Sequence, residues 1–405
     1  MKTIQGQNTF IKSWCENPER GAIDQMLNLA KLPFLAGHIA VMPDTHQGYG
    51  MPIGGVIATK EVIIPNAVGV DIGCGMCAVK TTLKEINTET LKKIMGEIRQ
   101  AIPVGFEHQK EKQNESLMPA RMDDIDLQSG GTIIGDLCPI VNQQYESALK
   151  QIGTLGGGNH FIEIQKGSDG FIWIMIHSGS RNLGKQIADY YNKVAIKLNE
   201  KWHTIVDPKW ELAFLPADSQ EGKAYIREMN YAVDFALANR KLMMDRVCEI
   251  FMDNFMSEAI RSDKRMFDPI INIAHNYASL ENHNGKNVWI HRKGATLARE
   301  DTIGIIPGSQ GSCSYIVKGK GNKDSYNSCS HGAGRRMGRK EAVRSLDLEA
   351  EKKLLDDKGV IHAIRGKDDL EEAPSAYKNI DLVMREQQDL VEILVKLEPL
   401  AVIKG

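Results

Sequence analysis

Apolar residues recur at helical spacing from Thr88 to Ile102, where Leu91, Ile94, Met95, Ile98 and Ile102 lie three or four positions apart. That spacing predicts an amphipathic helix. A second, longer helix is predicted from Lys223 to Phe255, with Met229, Met243, Met244 and Met252 read as packing residues. Ser345 begins a further helix through Leu355, and Ile380 to Leu397 reads as the last one. Between them, β-branched runs ending in glycine, Gly54 to Thr59 and Asp301 to Gly308, read as strands that feed loops. Val62 to Ile64, Phe171 to Ile176, Ile271 to Ala274 and Leu400 to Ile403 are strand-like as well. Glu107 to Ser129 is polar, lacks periodicity and reads as a mobile surface segment. No internal repeat or low-complexity tract interrupts the pattern, which is that of an α+β chain with mixed β-sheets flanked by helices.

Composition narrows the function classes. With 405 residues the chain can bury a large core, and its formal net charge of −2 gives no global attraction to nucleic acid. Any grip on RNA must then come from a local patch. Arg335, Arg336, Arg339, Lys340 and Arg344 supply one, although such a cluster is also what a solvated helix face looks like. The polar stretch Met1 to Glu16 has no signal-peptide apolar region, and no apolar run reaches membrane-spanning length, so a cytoplasmic protein is expected. Seven cysteines, an odd number, point to reduced thiols and not to a disulfide framework.

Candidate chemistry is concentrated in short glycine-rich segments. Ser328-Cys329-Ser330-His331-Gly332-Ala333-Gly334-Arg335-Arg336 sets an imidazole in a small-residue turn that runs into paired arginines, an arrangement suited to holding a phosphate. His331 there could be a ligand, a base or a nucleophile. Val68 to Gly75 brings Asp71 and Cys74 together just beyond an apolar run. Gly156 to Glu163, the run ending in His177-Ser178-Gly179-Ser180-Arg181, and Ile271 to Tyr277 each deliver a histidine at a strand edge: His160, His177 and His275. Taken singly, Cys74 reads as a buried inert thiol, Asp71 as a turn cap and each histidine as a core residue bonded to backbone. Together they form a mixed O, S and N donor set suited to a transition metal, and a thiolate can bridge two ions. Cys74 and Cys77 also have redox-motif spacing, but no second cysteine pair at zinc spacing accompanies them.

Several of these segments, in this order, resemble the RtcB family of RNA-splicing ligases. They are Met42 to Gly50, Val68 to Gly75, Gly153 to Glu163, His177 to Arg181, Pro307 to Ser309, Ser328 to Gly334 and the terminal Val402 to Gly405, so the likeness covers essentially the whole chain. The resemblance implies a single catalytic domain over residues 1–405 with a central metal cleft. It implies a GTP- and manganese-dependent ligase that joins RNA ending in a 2′,3′-cyclic phosphate or 3′-phosphate to RNA with a 5′-hydroxyl. RNA and GTP are the partners it implies, with room for an activating protein and none for a membrane. Carried over by residue, it makes His331 the nucleophile that becomes guanylylated. One ion falls on Asp71, Cys74 and His160, and a second on Cys74, His177 and His275, with Cys74 as bridge. The guanylate pocket draws on Asn159, His160, Phe161, Ile162 and Glu163, on His275 and Asn276, and on Pro307, Gly308, Ser309, Gln310 and Ser314. His331, Gly332, Ala333, Gly334, Tyr377 and Lys404 complete it, with Tyr377 near the guanine and Arg181 as a candidate grip on RNA phosphate. Gln310, Gly157 and Cys77 depart from the family pattern, and none of them removes a proposed ligand or the nucleophile.

Manganese comes from the resemblance alone, because thiolate and imidazole donors favour Zn²⁺ over Mn²⁺ in the general affinity order. Two other readings use the same residues: a metal-dependent cyclic phosphodiesterase or phosphatase with His331 as a ligand, and an RNA-end-binding protein without turnover.

Overall fold

The computed structural model describes residues 1–120, 138–256, 266–362 and 364–405. The apolar run Ile172–Ser178 is buried at every position, as a central strand covered on both faces requires. It lies third in a seven-stranded sheet whose order is Ile271–Ala274, Gly75–Lys80, Ile172–Ser178, Phe161–Gly167, Val391–Lys404, Ser314–Gly319 and Ile303–Ile306. All neighbours in it are antiparallel. A six-stranded sheet runs Lys2–Gln5, Phe10–Ser13, Leu35–His46, Ile53–Thr59, Lys286–Lys293 and Asn276–His283. Its one parallel pair joins Phe10–Ser13 to Leu35–His46. The expected α+β class is thereby observed, and His275 alone separates the edge strand of one sheet from the edge strand of the other.

Two expected helices form close to their expected limits. Thr88–Ala101 buries Leu91, Ile94, Met95 and Ile98, and is capped by Asn87, whose side chain accepts from Thr90 N at 2.8 Å. Gln220–Phe255 starts at Ser219, whose hydroxyl accepts from Gly222 N, and buries Met229, Met243 and Met244. Helices at Arg20–Leu29, Pro139–Gln151 and Arg181–Lys201 were not singled out by the apolar pattern.

Three expectations need correction. Ile380 to Leu397 is not one helix: Ile380–Glu386 is helical, and Val391–Lys404 is a strand paired with Ser314–Gly319 on one side and Phe161–Gly167 on the other. Leu390, Val391, Leu394 and Val395 continue the helical spacing, but ladder bonds to two neighbouring strands outweigh that local preference. Pro399, which lacks an N–H, falls where the register shifts. Ser345 ends a helix, Arg339–Ser345, and the next begins at Leu348, where Asp347 caps Ala350 N at 2.8 Å. The polar segment Glu107 to Ser129 is described only to residue 120; 121–129 lie outside the described residues. Its described part is tied down: Gln109 N and Gln113 N donate to Lys150 O and Leu149 O, both at 2.9 Å, and Met118 is buried.

Candidate active site

Four of the five residues in the mixed donor set stand at the ends of four adjacent strands. Ala274 pairs with Gly75, so Cys74 and His275 flank one pair of strand ends, and His275 N donates to Cys74 O at 2.8 Å. Met76 pairs with His177, and His177 with Phe161, which places His160 at the start of the next strand. Cys74 Sγ lies 3.3 Å from His177 Nε2 and 3.6 Å from His160 Nε2. His160 Nε2 lies 3.3 Å from Asp71 Oδ2. The potential ligand atoms of Asp71, Cys74 and His160, and those of Cys74, His177 and His275, each fall within 4.8 Å of one another. Cys74 is common to both groups.

Backbone carbonyls orient two of these rings. His160 Nδ1 donates to Leu155 O and His177 Nδ1 to Asn159 O, both at 3.0 Å. A carbonyl can only accept, so Nδ1 carries the proton and each Nε2 presents a lone pair to the cluster. His275 Nδ1 is buried without a hydrogen-bond partner. Burial holds His177 and His275 well below the usual imidazole range, hence neutral, as ligation requires. Burial, reinforced by Asp71, pushes the Cys74 thiol far up, and a divalent cation reverses that by binding the thiolate. An oriented, neutral, partly orphaned N, S and O set fits two divalent ions.

The long helix carries the support for this cluster. Asn239 and Arg240 are wholly buried on its inner face. Asn239 Oδ1 accepts from Gly153 N at 2.7 Å and Thr154 N at 3.2 Å, while Nδ2 donates to Thr154 O, Ser178 Oγ and Gly179 O. Arg240 Nη1 donates to Gly73 O and Ser178 O, and Nε to Asn272 Oδ1. These two residues therefore tie together the segments bearing Cys74, His177 and His275, and the loop whose Leu155 carbonyl holds His160. Neither was singled out from the sequence. The available signal was their position within a helical stripe that also contains Ala232, Phe235, Ala236, Met243 and Val247. Two adjacent polar residues on such a face call for buried partners.

His331 follows the short strand Ser328–Ser330, which pairs with Ala295–Leu297. Its Nδ1 lies 2.7 Å from Asp44 Oδ2, and its ring meets that of His275 edge-on with centroids 4.8 Å apart. Asp44 Oδ2 also accepts from His331 N at 3.0 Å and Gly332 N at 3.2 Å. Burial alone would raise the Asp44 carboxyl, but the adjacent His331 holds it below its ordinary value. Asp44 is therefore an anion that fixes both the ring and its backbone, leaving Nε2 free. Gly334 has φ +73°, and a Cβ there would collide with Asp44 O, so this close approach requires glycine. Asp44 lay inside a segment noted from the sequence without being given a role.

A cleft of about 1720 Å³ is lined by the five candidate ligands, His331 and most of the residues expected in the nucleotide pocket. Ile162 and Ser314 are not among its lining residues. Ile162 packs in an apolar cluster, and Ser314 Oγ accepts from Gly308 N and from Gln165 Nε2, each at 3.1 Å. Asn276 is fully engaged, Nδ2 on Asp71 O at 3.0 Å and Oδ1 on Gly294 N at 2.7 Å. Ser309 bonds to Ser312, and Gln310 Nε2 donates to Glu372 O at 3.0 Å. Pro307 and Gly332 adjoin, and Ala333 packs into the core. The Tyr377 hydroxyl donates to Glu372, and the Arg335 guanidinium lies over its ring at 5.1 Å. Lys404 Nζ sits 5.9 Å from the Phe161 ring centroid. Burial pushes Glu163 up to about 8 and lowers Lys404.

The basic cluster is less free than its sequence suggests. Arg335 and Arg339 both pair with Glu372, at 3.2 and 3.0 Å, and Arg336 Nε donates to Ser375 O. These three line the cleft; Lys340 and Arg344 do not. Arg181 also lines it, with a left-handed backbone at φ +57°. Cys77, by contrast, is buried in an apolar cluster and is not among the residues that line the cleft.

Residues 25–405 match the family model described as tRNA-splicing ligase RtcB. The chain is 38% identical over 416 residues to the RNA-splicing ligase RtcB of Escherichia coli K12, covering 98% of each chain. It is 33% identical to the tRNA-splicing ligase RtcB of Thermococcus kodakarensis, covering 95% of this chain and 91% of that one. With the RNA-splicing ligase RtcB of Mycobacterium tuberculosis it shares 31% identity, covering 94% of this chain and the whole of the other.

Proposed function

Because the chain belongs to the RtcB family of RNA-splicing ligases, we propose that it seals RNA ends through a guanylylated His331, using GTP and two manganese ions. One RNA carries a 2′,3′-cyclic phosphate or 3′-phosphate and the other a 5′-hydroxyl. The observation that carries this reading is the 2.7 Å contact of His331 Nδ1 with Asp44, which leaves Nε2 as the free nitrogen beside the candidate metal cluster.

Asp71, Cys74 and His160 would hold one ion and Cys74, His177 and His275 the other; bound there, they would supply charge neutralisation for the triphosphate. His331 Nε2 attacks the α-phosphorus of GTP: an N–P bond forms and the bond to the departing pyrophosphate breaks. Positive charge develops on the ring as it does so. Asp44, already ionised and bonded to Nδ1, stabilises that charge without reorganising. A phosphoramidate then carries GMP in reactive form to the RNA 3′-phosphate, after water has opened a cyclic end. The 5′-hydroxyl oxygen of the second strand finally attacks the activated phosphate, and GMP leaves.

Guanine recognition would fall to Lys404 in the same cleft. Lys404, part-buried beside Phe161, would donate to the guanine O6, where adenine presents an amino donor instead. Arg181, whose Nε donates to Thr154 Oγ1 at 3.1 Å, would hold RNA phosphate.

Incubation with α-labelled GTP and manganese tests the reading. The wild type is expected to acquire acid-labile, protein-bound label, and His331→Ala none, while His331→Ala still seals RNA carrying a preformed 3′-guanylylated end. Opening of a cyclic end with no label and no response to GTP would instead make the protein a hydrolase.

A further inference from the structure

Phe106 is fully exposed, more so than any other large apolar side chain among the described residues, and it stands on the lining of the catalytic cleft. An exposed phenylalanine at a loose loop tip would need no explanation. This one sits on a hydrogen-bonded turn. Leu155 N donates to Pro103 O at 2.9 Å, Gly105 N to Gly156 O at 3.0 Å, and Glu107 N to Val104 O at 3.1 Å. The turn is therefore bonded to the glycine loop that leads to His160. Gly105 carries the positive φ, +61°, that lets the chain turn there. The residue beside Phe106 also meets Arg181, whose Nη2 donates to Gly105 O at 3.3 Å. Arg181 Nη1 contacts His160 Nδ1 at 3.5 Å, but that ring proton already goes to Leu155 O, so Nη1 keeps its hydrogens for an anion in the cleft. A guanidinium and a bare aromatic side chain thus both stand at the cleft wall, joined through the Gly105 carbonyl.

That pair has the chemistry of a nucleotide: phosphate for the guanidinium, and a π-face for the ring. We propose that Phe106 is a stacking platform for the 3′-terminal nucleobase of the RNA strand whose phosphate Arg181 holds. The inference rests on the RNA-ligase reading and extends it to a subsite for the substrate. Every base offers a π-face, so the platform tolerates any terminal base. It also explains why an apolar ring is kept in water on a hydrogen-bonded turn.

The test separates RNA capture from guanylylation. For Phe106→Ala, the KM for 3′-phosphate RNA should rise about tenfold, in line with the loss of one base–aromatic stack, with GTP labelling of the protein unchanged. Phe106→Trp should restore the KM, and Phe106→Leu, apolar but without a π-face, should not. RNA ending in an abasic nucleotide should show the same tenfold penalty with the wild type and no added penalty with Phe106→Ala. An unchanged KM in Phe106→Ala, full rescue by leucine, or multiplying penalties would each overturn the proposal. Fluorescence anisotropy with the same RNAs reports binding without turnover. If the wild type takes no label from GTP, the ligase reading fails by itself, and the anisotropy series still decides whether Phe106 stacks on a base.

Discussion

The imidazoles of the cluster and the imidazole of His331 are neighbours, yet they are anchored by different chemistry. His160 and His177 give their Nδ1 protons to the neutral carbonyls of Leu155 and Asn159, at 3.0 Å. His331 faces a wholly buried carboxylate at 2.7 Å. A carbonyl fixes the tautomer and leaves the ring neutral, as a metal ligand needs. A carboxylate also stabilises positive charge on the ring, as a nitrogen that bonds to phosphorus needs. On the proposed reading, the partner on Nδ1 separates His160 and His177, as holders, from His331, as the reactor, while His275 Nδ1 has no partner.

If the holders work through Cys74, breaking that bridge should have the largest effect. Cys74→Ala is expected to lose both ions and all ligation, whereas His160→Ala, His177→Ala and His275→Ala each lose one ion more readily than two. Metal content by mass spectrometry of the purified variants decides this, with Cys77→Ala as a near-silent control. Cys77 proving essential while Cys74 is dispensable would refute the shared-ligand arrangement.

A smaller effect is expected one layer further out. Asn239→Ala removes the partners of Gly153 N and Thr154 N and three donated bonds. Leaving buried groups unpaired should cost about 2–4 kcal/mol of stability. Metal affinity should fall about tenfold or more, since such outer partners orient the ligands. Denaturant unfolding and metal titration measure the two; unchanged affinity in a destabilised protein would reduce Asn239 to a fold residue.

The smallest expected effect is at the nucleotide edge. Lys404→Ala should slow labelling by GTP and narrow the preference for GTP over ATP while metal content stays full, because the site loses a donor matched to guanine. Full activity with full preference in Lys404→Ala would remove Lys404 from the guanine pocket.

The candidate ligands were legible in the sequence because each stands in a glycine-rich segment or at a strand end, where a reactive type is out of place as packing. His331 was legible for the same reason. Asp44 and the Asn239–Arg240 pair were not, because they sit inside regular elements, on Leu35–His46 and Gln220–Phe255, and their role depends on partners distant along the chain. The last strand was hidden by its own spacing: its apolar residues fit a helix, and only pairing on both edges makes Val391–Lys404 extended. Local pattern reported residues that act where the chain stops being regular, and missed those that act by reaching across it.

The division between holders and reactor is tested most directly at Asp44. Asp44→Asn keeps the shape of the side chain and removes its charge. Measured together, the rate of protein labelling by α-labelled GTP should fall on the order of a hundredfold or more, while the metal bound per chain stays at the wild-type level. Wild-type labelling in Asp44→Asn, or loss of the metals along with the label, would contradict the account.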